Sequence, residues 1–309
     1  MKTRIAIALL TVYLVWGSTY LAIRFAVQTI PPFMMAGTRF LIPGLLLVVW
    51  RRLAGDPVPT RRQWLSASIT GLLLLVGGNG LVSWAEQRVA SGITSLLVGT
   101  APIWIVLVDA VFASRVRPRW QALVGLLTGF IGIALLIDPV SLVEGQGQYD
   151  MLGIGTLLLA AFIWAIGSVY SRGADLPKSS LLGTGMEMLA GAAGLFAVSL
   201  MRAEWRGFDP GAVTLQSGLA LLYLTFFGSL LGFGAYTWLL RNAPVALAAT
   251  YAYVNPLIAV LLGHWLGREP LDARIGLGAA VIIGSIILIN LKWRAPAAAL
   301  EPAPAEPGD

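Results

Sequence analysis

Few side chains in this sequence could do covalent chemistry. The chain has no cysteine and a single histidine, His264. A disulfide, a thiolate metal site and a nucleophile activated by histidine therefore have almost no residues from which to form. The phosphate-binding pattern G-x-x-x-x-G-K-[ST] is absent too, so ATP does not power the chain through that motif. The sequence predicts no catalytic residues, no metal site and no cofactor, which leaves binding as the chemistry to consider.

The charged residues of most interest interrupt long apolar stretches. A buried ion without a partner costs on the order of several kcal/mol, so such residues are expected to pair or to serve function. We expect Glu86 to form an ion pair with Arg24 or Arg39. We expect Glu187 to gate, to couple to protons or to make a polar contact in the interior.

A second set combines aromatic rings with hydroxyl and amide groups inside apolar stretches. Such rings stack on the apolar part of a small molecule, while hydroxyls and amides hold its polar end. An amino acid fits this combination, whereas the alternative is a belt of Trp and Tyr at the membrane surface. The candidate substrate-binding residues are Trp16, Ser18, Tyr20, Asn79, Ser83, Trp84, Thr100, Trp104, Trp164, Ser168, Tyr236, Trp238, Tyr251, Tyr253 and Asn255.

The composition indicates which class of protein positions these residues. Hydrophobic residues make up 57% of the chain, charged residues 12%, and the mean hydropathy is +0.80. These values indicate an integral membrane protein surrounded by lipids. The net charge of +6 could suggest nucleic acid. The basic residues are instead scattered between apolar runs, as is usual beside membrane spans, so no nucleic-acid partner is predicted.

Ten apolar stretches are long enough to cross a bilayer, which takes about 20 residues. The fold class is therefore an all-α membrane protein with ten transmembrane helices. The first stretch lacks a small-residue cleavage site, so we interpret it as a helix rather than a signal peptide. The predicted helices are 5–27, 33–50, 65–86, 92–113, 120–137, 151–171, 180–201, 216–239, 246–267 and 273–292.

A pattern of glycine, tryptophan and proline occurs twice at a constant distance. The offset is 154 residues (232 − 78), and a chance match would rarely keep it over a whole segment. The sequence therefore indicates a duplication, and matching interrupted segments in two halves of a membrane protein point to a site between them. The repeated residues are Gly78, Gly80, Trp84 and Pro102 in the first half and Gly232, Gly234, Trp238 and Pro256 in the second.

The two prolines of this pattern lie in the middle of predicted helices. Proline removes a backbone hydrogen bond, so Pro102 and Pro256 are expected to kink their helices. The kinks would bind a ligand through freed carbonyls, act as hinges or be accommodated by a neighbouring helix. With Arg24, Arg39, Glu86 and Glu187, the two prolines form the candidate set for gating or charge pairing.

The helix count determines how the halves relate. The predicted division is a first repeat over 1–138, a second over 139–294 and a disordered cytoplasmic tail over 295–309. Five helices per repeat is an odd number, so the second repeat must enter the membrane from the opposite side. Lys and Arg concentrate on the side of both termini, which predicts that both are cytoplasmic. Inverted repeats of this kind favour alternating access to a shared central cavity.

Three segments together resemble a known family. They are Trp16–Tyr20 (WGSTY), Pro32–Phe40 (PFMMAGTRF) and Tyr251–Pro256 (YAYVNP). They resemble the drug/metabolite transporter superfamily, EamA-type, and within it a group of bacterial inner-membrane exporters. The resemblance extends to about Lys292. It implies a basket of two inverted five-helix repeats, with a cavity lined mainly by the first, third, fourth, sixth, eighth and ninth helices.

The resemblance implies a secondary exporter of small metabolites in the bacterial inner membrane, including amino acids and, in some members, aromatic ones or toxic organic compounds. A multidrug or organic-cation exporter is the alternative within this fold, and it requires Glu187 or Asp109 to face the cavity. An exchanger of phosphorylated compounds would require more basic residues than Arg24 and Arg39 in the spans. An intramembrane enzyme or a non-transporting scaffold are alternatives from other classes.

Overall fold

The computed structural model describes residues 2–113, 120–137, 150–242 and 251–290. The regular structure that these residues form is helical. Seven of the described helices are long and apolar enough to cross a membrane, and two shorter apolar helices cover Val254–Trp265 and Ala273–Ser285. The predicted tail 295–309 lies outside the described residues, as do the first residues of the predicted ninth helix.

The helices alternate with short loops in both halves. In the first half they are α1 (Lys2–Ala26), α2 (Pro32–Leu53), α3 (Arg61–Ala85), α4 (Ser91–Val98 and Ala101–Val108, continuing as Asp109–Ala113) and α5 (Trp120–Ile137). In the second half they are α6 (Met151–Gly173), α7 (Ser180–Met201), α8 (Leu215–Tyr223 continuing as Gly232–Asn242), α9 (Tyr251–Trp265) and α10 (Ala273–Asn290). These bounds agree with the predicted ones to within a few residues where both are described.

The loops end where side chains satisfy the first backbone N–H groups of the next helix. Thr60 and Gln63 form a capping box at the start of α3. Asp150 accepts a hydrogen bond from the backbone N–H of Gly153 at the start of α6, and Ser179 caps α7 in the same way. The sequence signals for these helix starts are local, which explains why their positions were predictable.

Two pairs of equivalent helices pack against each other in opposite directions. A Cβ added to Gly37 of α2 would contact Phe196 of α7, and one added to Gly44 would contact Met188. The contacts move backwards along α7 as they move forwards along α2, so these helices are antiparallel. The same holds for α5 and α10, because Gly129 faces Ser285 whereas Gly132 faces Ile282.

Other contacts also pair a helix of one half with helices of the other half. Helix α1 packs against α8 and α9 of the second half, and α6 packs against α3 and α4 of the first half. A rotation that exchanges the halves and reverses the direction of the helices reproduces this arrangement. Each half therefore contributes to one interior between them rather than enclosing a core of its own.

Backbone irregularities also occur at matching places. Helix α3 has π-helical hydrogen bonding over Leu72–Gly80, and α8 has it over Leu224–Leu231. Single π-helical turns are often found at functional sites. The first stretch contains Gly78 and Gly80, and the second ends directly before Gly232. The duplication therefore extends to the local backbone.

Both repeated prolines lie inside apolar helices, as expected. Pro256 lies inside α9. In α4 the α-helical hydrogen bonding is interrupted at Gly99 and Thr100, just before Pro102, although both residues keep right-handed helical backbone angles. Proline lacks the N–H that would continue the ladder of hydrogen bonds, so such a distortion is expected beside it. Helix α4 is therefore one span with a local distortion next to its proline.

A central cavity as the candidate functional site

A cavity of about 150 Å³ lies between the two halves. Seven helices border it: α1, α2, α3, α4, α6, α8 and α9. A cavity of this volume in another protein binds benzene, so one small ring or a comparable aliphatic group fits. The lining includes the distortion of α4, at Gly99, and both repeated prolines.

Aromatic rings form one wall of the cavity. Trp16 of α1 has its ring centroid 5.2 Å from that of Phe233, 5.1 Å from Tyr236 and 5.1 Å from Tyr251. Its indole N–H donates to the carbonyl of Gly228 at 3.2 Å, within the π-helical stretch of α8. Rings at these separations stabilise one another in edge-to-face contacts. The wall is therefore held in place before any ligand arrives.

Each half also places a tryptophan against a repeated glycine of the other half. A Cβ on Gly78 of α3 would lie 2.8 Å from Cε3 of Trp164 of α6. A Cβ on Gly232 of α8 would meet Nε1 of Trp16 of α1. Only glycine allows the indole rings to approach these helices so closely. The repeated glycines therefore position the two tryptophans that line the cavity.

Arg39 is the charged side chain that lines the cavity. It is 4% exposed, and its Nε donates to Oγ of Ser229 at 3.1 Å. Its guanidinium also lies 4.9 Å from the ring centroid of Phe40. Nη1 of Arg39 and Oδ1 of Asn255, which also lines the cavity, are buried with no hydrogen-bond partner among the described residues.

Among the described residues Glu86 makes no direct ion pair with an arginine, although it interacts electrostatically with Arg24 and Arg39. Nε of Arg24 lies 3.3 Å from Oε1 of Glu269, in the loop between α9 and α10. The Arg24 guanidinium also donates to the backbone carbonyls of Glu86 and Val89 at the end of α3. Both carboxylate oxygens of Glu86 are buried without a hydrogen-bond partner among these residues. Arg24 pairs with Glu269 because the loop between α9 and α10 places that carboxylate beside the guanidinium.

The contacts of Glu269 join several elements at one end of the bundle. Its two carboxylate oxygens accept from the backbone N–H groups of Ser91 and Gly92, at 2.7 and 3.0 Å. These are the first N–H groups of α4, where a negative charge is stabilised by the helix dipole. We call the pair of Arg24 and Glu269 the distal latch, since it lies at the end opposite the N-terminus.

A second ion pair lies at the other end, on the equivalent helices. Nη1 of Arg172 of α6 is 3.2 Å from Oδ1 of Asp109 of α4. The residue equivalent to Asp109 at the offset of 154 is Gly263, and the carboxylate of Glu269 lies against Gly263. We call Arg172 and Asp109 the proximal latch. It is more exposed, with its side chains 59% and 32% accessible against 34% and 7% in the distal latch.

Nine of the residues selected from the sequence lie in the cavity lining. They are Trp16, Tyr20, Arg39, Asn79, Pro102, Trp164, Tyr251, Asn255 and Pro256. The hydroxyl groups of other candidates bond to carbonyls of their own helix instead, which is common for Ser and Thr in apolar helices. Those candidates are Ser18, Ser83, Thr100 and Ser168.

The remaining candidates lie behind or beyond the lining. Trp104 packs between Phe130 and Phe162, with centroid distances of 5.6 and 5.5 Å. Trp84 borders a separate pocket at the distal end and faces the guanidinium groups of two arginines. Tyr236 supports the aromatic wall from behind. Trp238 and Glu187 are outside the lining, and the side chain of Tyr253 is outside the described part of the structure.

Sequence reasoning missed several lining residues. Phe233 is the residue equivalent to Asn79 at the offset of 154, so extending the repeat by one position would have found it. Val98, Ile105 and Ala160 also line the cavity, but their side chains are those of ordinary apolar spans and carry no signal. Glu269 lies in a loop, and only the fold brings it to Arg24.

The polar groups of the site are unequally divided between the halves. The position equivalent to Arg39 is Ala193, and the position equivalent to Glu86 is Leu240. Asn79 likewise corresponds to Phe233. Among the described residues, the duplicated frame therefore carries the charge that lines the cavity in the first half and a more aromatic lining in the second.

Comparisons with known proteins agree with this architecture. The model of the EamA-like transporter family matches twice, over residues 3–138 and 151–291. The uncharacterized inner membrane transporter YedA of Escherichia coli (strain K12) is 40% identical over 94% of this chain and 92% of its own length. A chloroplastic WAT1-related protein of Arabidopsis thaliana is 27% identical over 91% of this chain and 68% of its own. A crystal structure at 19% identity covers 94% of this chain and 98% of its own with a TM-score of 0.62, and it supports the fold alone.

Proposed function

Because the chain belongs to the EamA-like transporter family, within the drug/metabolite transporter superfamily, we propose that it exports amino acids, including aromatic ones. The family and the relatives make it a membrane transporter of small molecules rather than an enzyme. The observation that carries the choice of substrate is the cavity itself. It combines a wall of aromatic rings with two buried, unpartnered polar atoms, on Arg39 and Asn255.

We propose ten membrane spans arranged as two inverted repeats, 1–138 and 139–294, followed by the tail 295–309. The antiparallel packing of α2 with α7 and of α5 with α10 supports an inverted relation. Equivalent helices that run in opposite directions require an exchange axis perpendicular to them, hence one in the plane of the membrane. The membrane is the bacterial inner membrane, as the name of YedA states for that relative, and both termini are cytoplasmic.

Transport by alternating access follows from that arrangement. Inverted repeats exchange their conformations, so that a shared site opens to each side in turn. The two latches lie on equivalent helices at opposite ends of the bundle. In this mechanism they break alternately: the distal latch is closed while the cavity faces the cytoplasm, and the proximal latch is closed while it faces outward.

The alternative of a cation exporter would require a carboxylate, which is absent from the cavity lining that the structure describes. A cationic substrate needs a carboxylate in the cavity, and neither Glu187 nor Asp109 is among the lining residues. Asp109 is bonded to Arg172 instead. Among the described residues the charged group that lines the cavity is a guanidinium, which favours substrates that carry a negative charge.

The direct experiment is counterflow in liposomes that contain only this protein. We expect liposomes loaded with unlabelled L-phenylalanine to accumulate labelled L-phenylalanine, both with and without a pH gradient. Organic cations tested in parallel should not exchange. Accumulation of cations but not of amino acids would replace the proposed function by its rival. A rate that requires a proton gradient and loses this requirement in Glu187→Gln would assign proton coupling to Glu187.

A further inference from the structure

Arg39 presents an unusual combination of burial, charge and missing partners. Its side chain is 4% exposed in an apolar span, and Nη1 bonds to no described residue. A guanidinium has five N–H donors and always carries its charge. An ion in such a place is costly without an anion to pair with. Arg39 is one of the residues that line the cavity.

The neighbouring carboxylates do not supply that anion within bonding distance. Glu269 is used by Arg24 and by the first N–H groups of α4. Glu86 interacts with Arg39 electrostatically, but its carboxylate oxygens form no hydrogen bond with described residues. Ser229 supports only Nε of Arg39. Nη1 of Arg39 therefore has no hydrogen-bond partner among the described residues and is buried beside the cavity that Arg39 lines.

A second polar atom in the lining of the same cavity also lacks a partner, and it accepts hydrogen bonds rather than donating them. Oδ1 of Asn255 is a hydrogen-bond acceptor, is buried and has no partner among the described residues. An ammonium group donates hydrogen bonds and matches such an acceptor. Arg39 of α2 and Asn255 of α9 thus place a hydrogen-bond donor and an acceptor in the lining of one cavity.

We propose that Arg39 binds the carboxylate of the transported molecule and that Asn255 accepts a hydrogen bond from its ammonium group. The substrate class is then small α-amino acids whose side chain fits against Trp16 and Trp164. A guanidinium binds a carboxylate through two parallel hydrogen bonds, which lysine does not reproduce. This inference rests on the proposed function only in taking the cavity as the substrate site.

Equilibrium binding tests the proposal without requiring transport. Purified full-length protein in detergent is titrated with labelled L-phenylalanine, in competition with 2-phenylethylamine, which lacks the carboxylate, and 3-phenylpropionate, which lacks the ammonium group. We expect 2-phenylethylamine to compete at least about tenfold more weakly than unlabelled L-phenylalanine, the loss typical of a missing hydrogen bond to a charged group.

Substitutions test whether Arg39 causes the preference for ligands that carry a carboxylate. Arg39→Gln should weaken L-phenylalanine binding about 10- to 100-fold and abolish its advantage over 2-phenylethylamine. Arg39→Lys should recover part of the affinity. Asn255→Ala should instead reduce L-phenylalanine to the affinity of 3-phenylpropionate. Arg206→Gln, at an exposed arginine outside the cavity, is the matched control.

Ser229→Ala provides a test that keeps the charge in place. It removes the hydrogen bond to Nε of Arg39 and should weaken L-phenylalanine more than 2-phenylethylamine, even if Arg39→Gln fails to fold. Equal competition by 2-phenylethylamine in the wild type, or no binding of either carboxylate, overturns the inference. Binding with the expected preference but no counterflow would instead refute the proposed export and leave the Arg39 site standing.

Discussion

At the scale of single residues, the cavity depends on the absence of a side chain at two glycines. Gly78 and Gly232 lack the Cβ that would collide with Trp164 and Trp16. The neighbouring Gly234 belongs to the same repeated pattern, but a Cβ there would meet no atom within 4 Å. The structure therefore separates two kinds of glycine that look alike in the sequence.

This difference gives a matched pair of variants. Gly78→Ala should slow transport markedly, because the new methyl group displaces the Trp164 ring at an overpacking cost of about 1–3 kcal/mol. Gly234→Ala should transport at the wild-type rate. The measurement is counterflow in liposomes with equal amounts of folded protein. Equal rates in both variants would mean that close approach of Trp164 is unimportant.

Two tryptophans that look equivalent in the sequence should also behave differently. Trp164→Ala should raise the KM for transport and leave thermal stability nearly unchanged, because Trp164 lines the cavity. Trp104→Ala should lower stability, by about 3–5 kcal/mol, because Trp104 fills the space between Phe130 and Phe162. Thermal unfolding and transport kinetics on the same preparations distinguish the two. A normal KM in Trp164→Ala would remove it from the site.

The sequence predicted side chains of the site better than it predicted their roles. Trp16, Asn79 and Asn255 were found because polar and aromatic groups are rare inside apolar spans. The same rule wrongly attracted attention to Ser18, whose hydroxyl is satisfied by the carbonyl of Leu14 and by Tyr223. Which partner a hydroxyl chooses depends on local geometry that residue type does not encode.

At the scale of elements, the latches connect helices that must separate during transport. The distal latch joins α1, the end of α3, the start of α4 and the loop after α9 through Arg24 and Glu269. The proximal latch joins α4 to α6 through Arg172 and Asp109. The distal latch is the less exposed of the two pairs, so its charges are less screened by solvent.

Weakening the distal latch should expose the cavity from outside. Glu269→Gln removes the charge that faces Arg24, so a membrane-impermeant maleimide should label Val98→Cys several-fold faster in right-side-out vesicles. The chain has no cysteine of its own, so this label is unambiguous. Glu204→Gln, which disturbs the cap of α2 at the same end, is the control. An unchanged labelling rate would refute the gating role.

The elements themselves were largely predictable, and the exceptions have a physical explanation. Apolar length and local caps specify the helices, as the capping box of Thr60 illustrates. The distortion of α4 at Gly99 and Thr100 lies where Pro102 predicted one, because proline cannot continue the ladder of hydrogen bonds. The π-helical stretches depend on contacts with neighbouring helices and have no reliable sequence signal.

At the scale of the whole molecule, the repeat determines how the chain crosses the membrane. The odd number of helices predicted for each half agrees with the antiparallel packing of α2 against α7. The sequence indicates the duplication through the offset of 154 residues, and the inversion through the odd number of helices in each half. The latches at either end were not predicted, because each depends on residues far apart in the chain.

Equivalent loops of the two repeats should therefore face opposite sides. Gln28 lies between α1 and α2, and Lys178 lies between α6 and α7, and both side chains are exposed. In intact cells, an impermeant maleimide should label Gln28→Cys but not Lys178→Cys. Permeabilised cells should allow labelling of both. Labelling of both in intact cells would indicate parallel repeats and contradict the inverted arrangement.

Among the described residues, the charge that lines the cavity belongs to the first repeat, which gives the transport path a polarity that the symmetric frame lacks. Arg39 lies two turns from the start of α2, at the distal end, whereas its counterpart Ala193 offers nothing to an anion. An amino acid held by Arg39 would travel with its carboxylate leading and its side chain trailing. Loading and release would then be different molecular events with different rates on the two sides, while the concentration gradient of the substrate would set the direction of net transport.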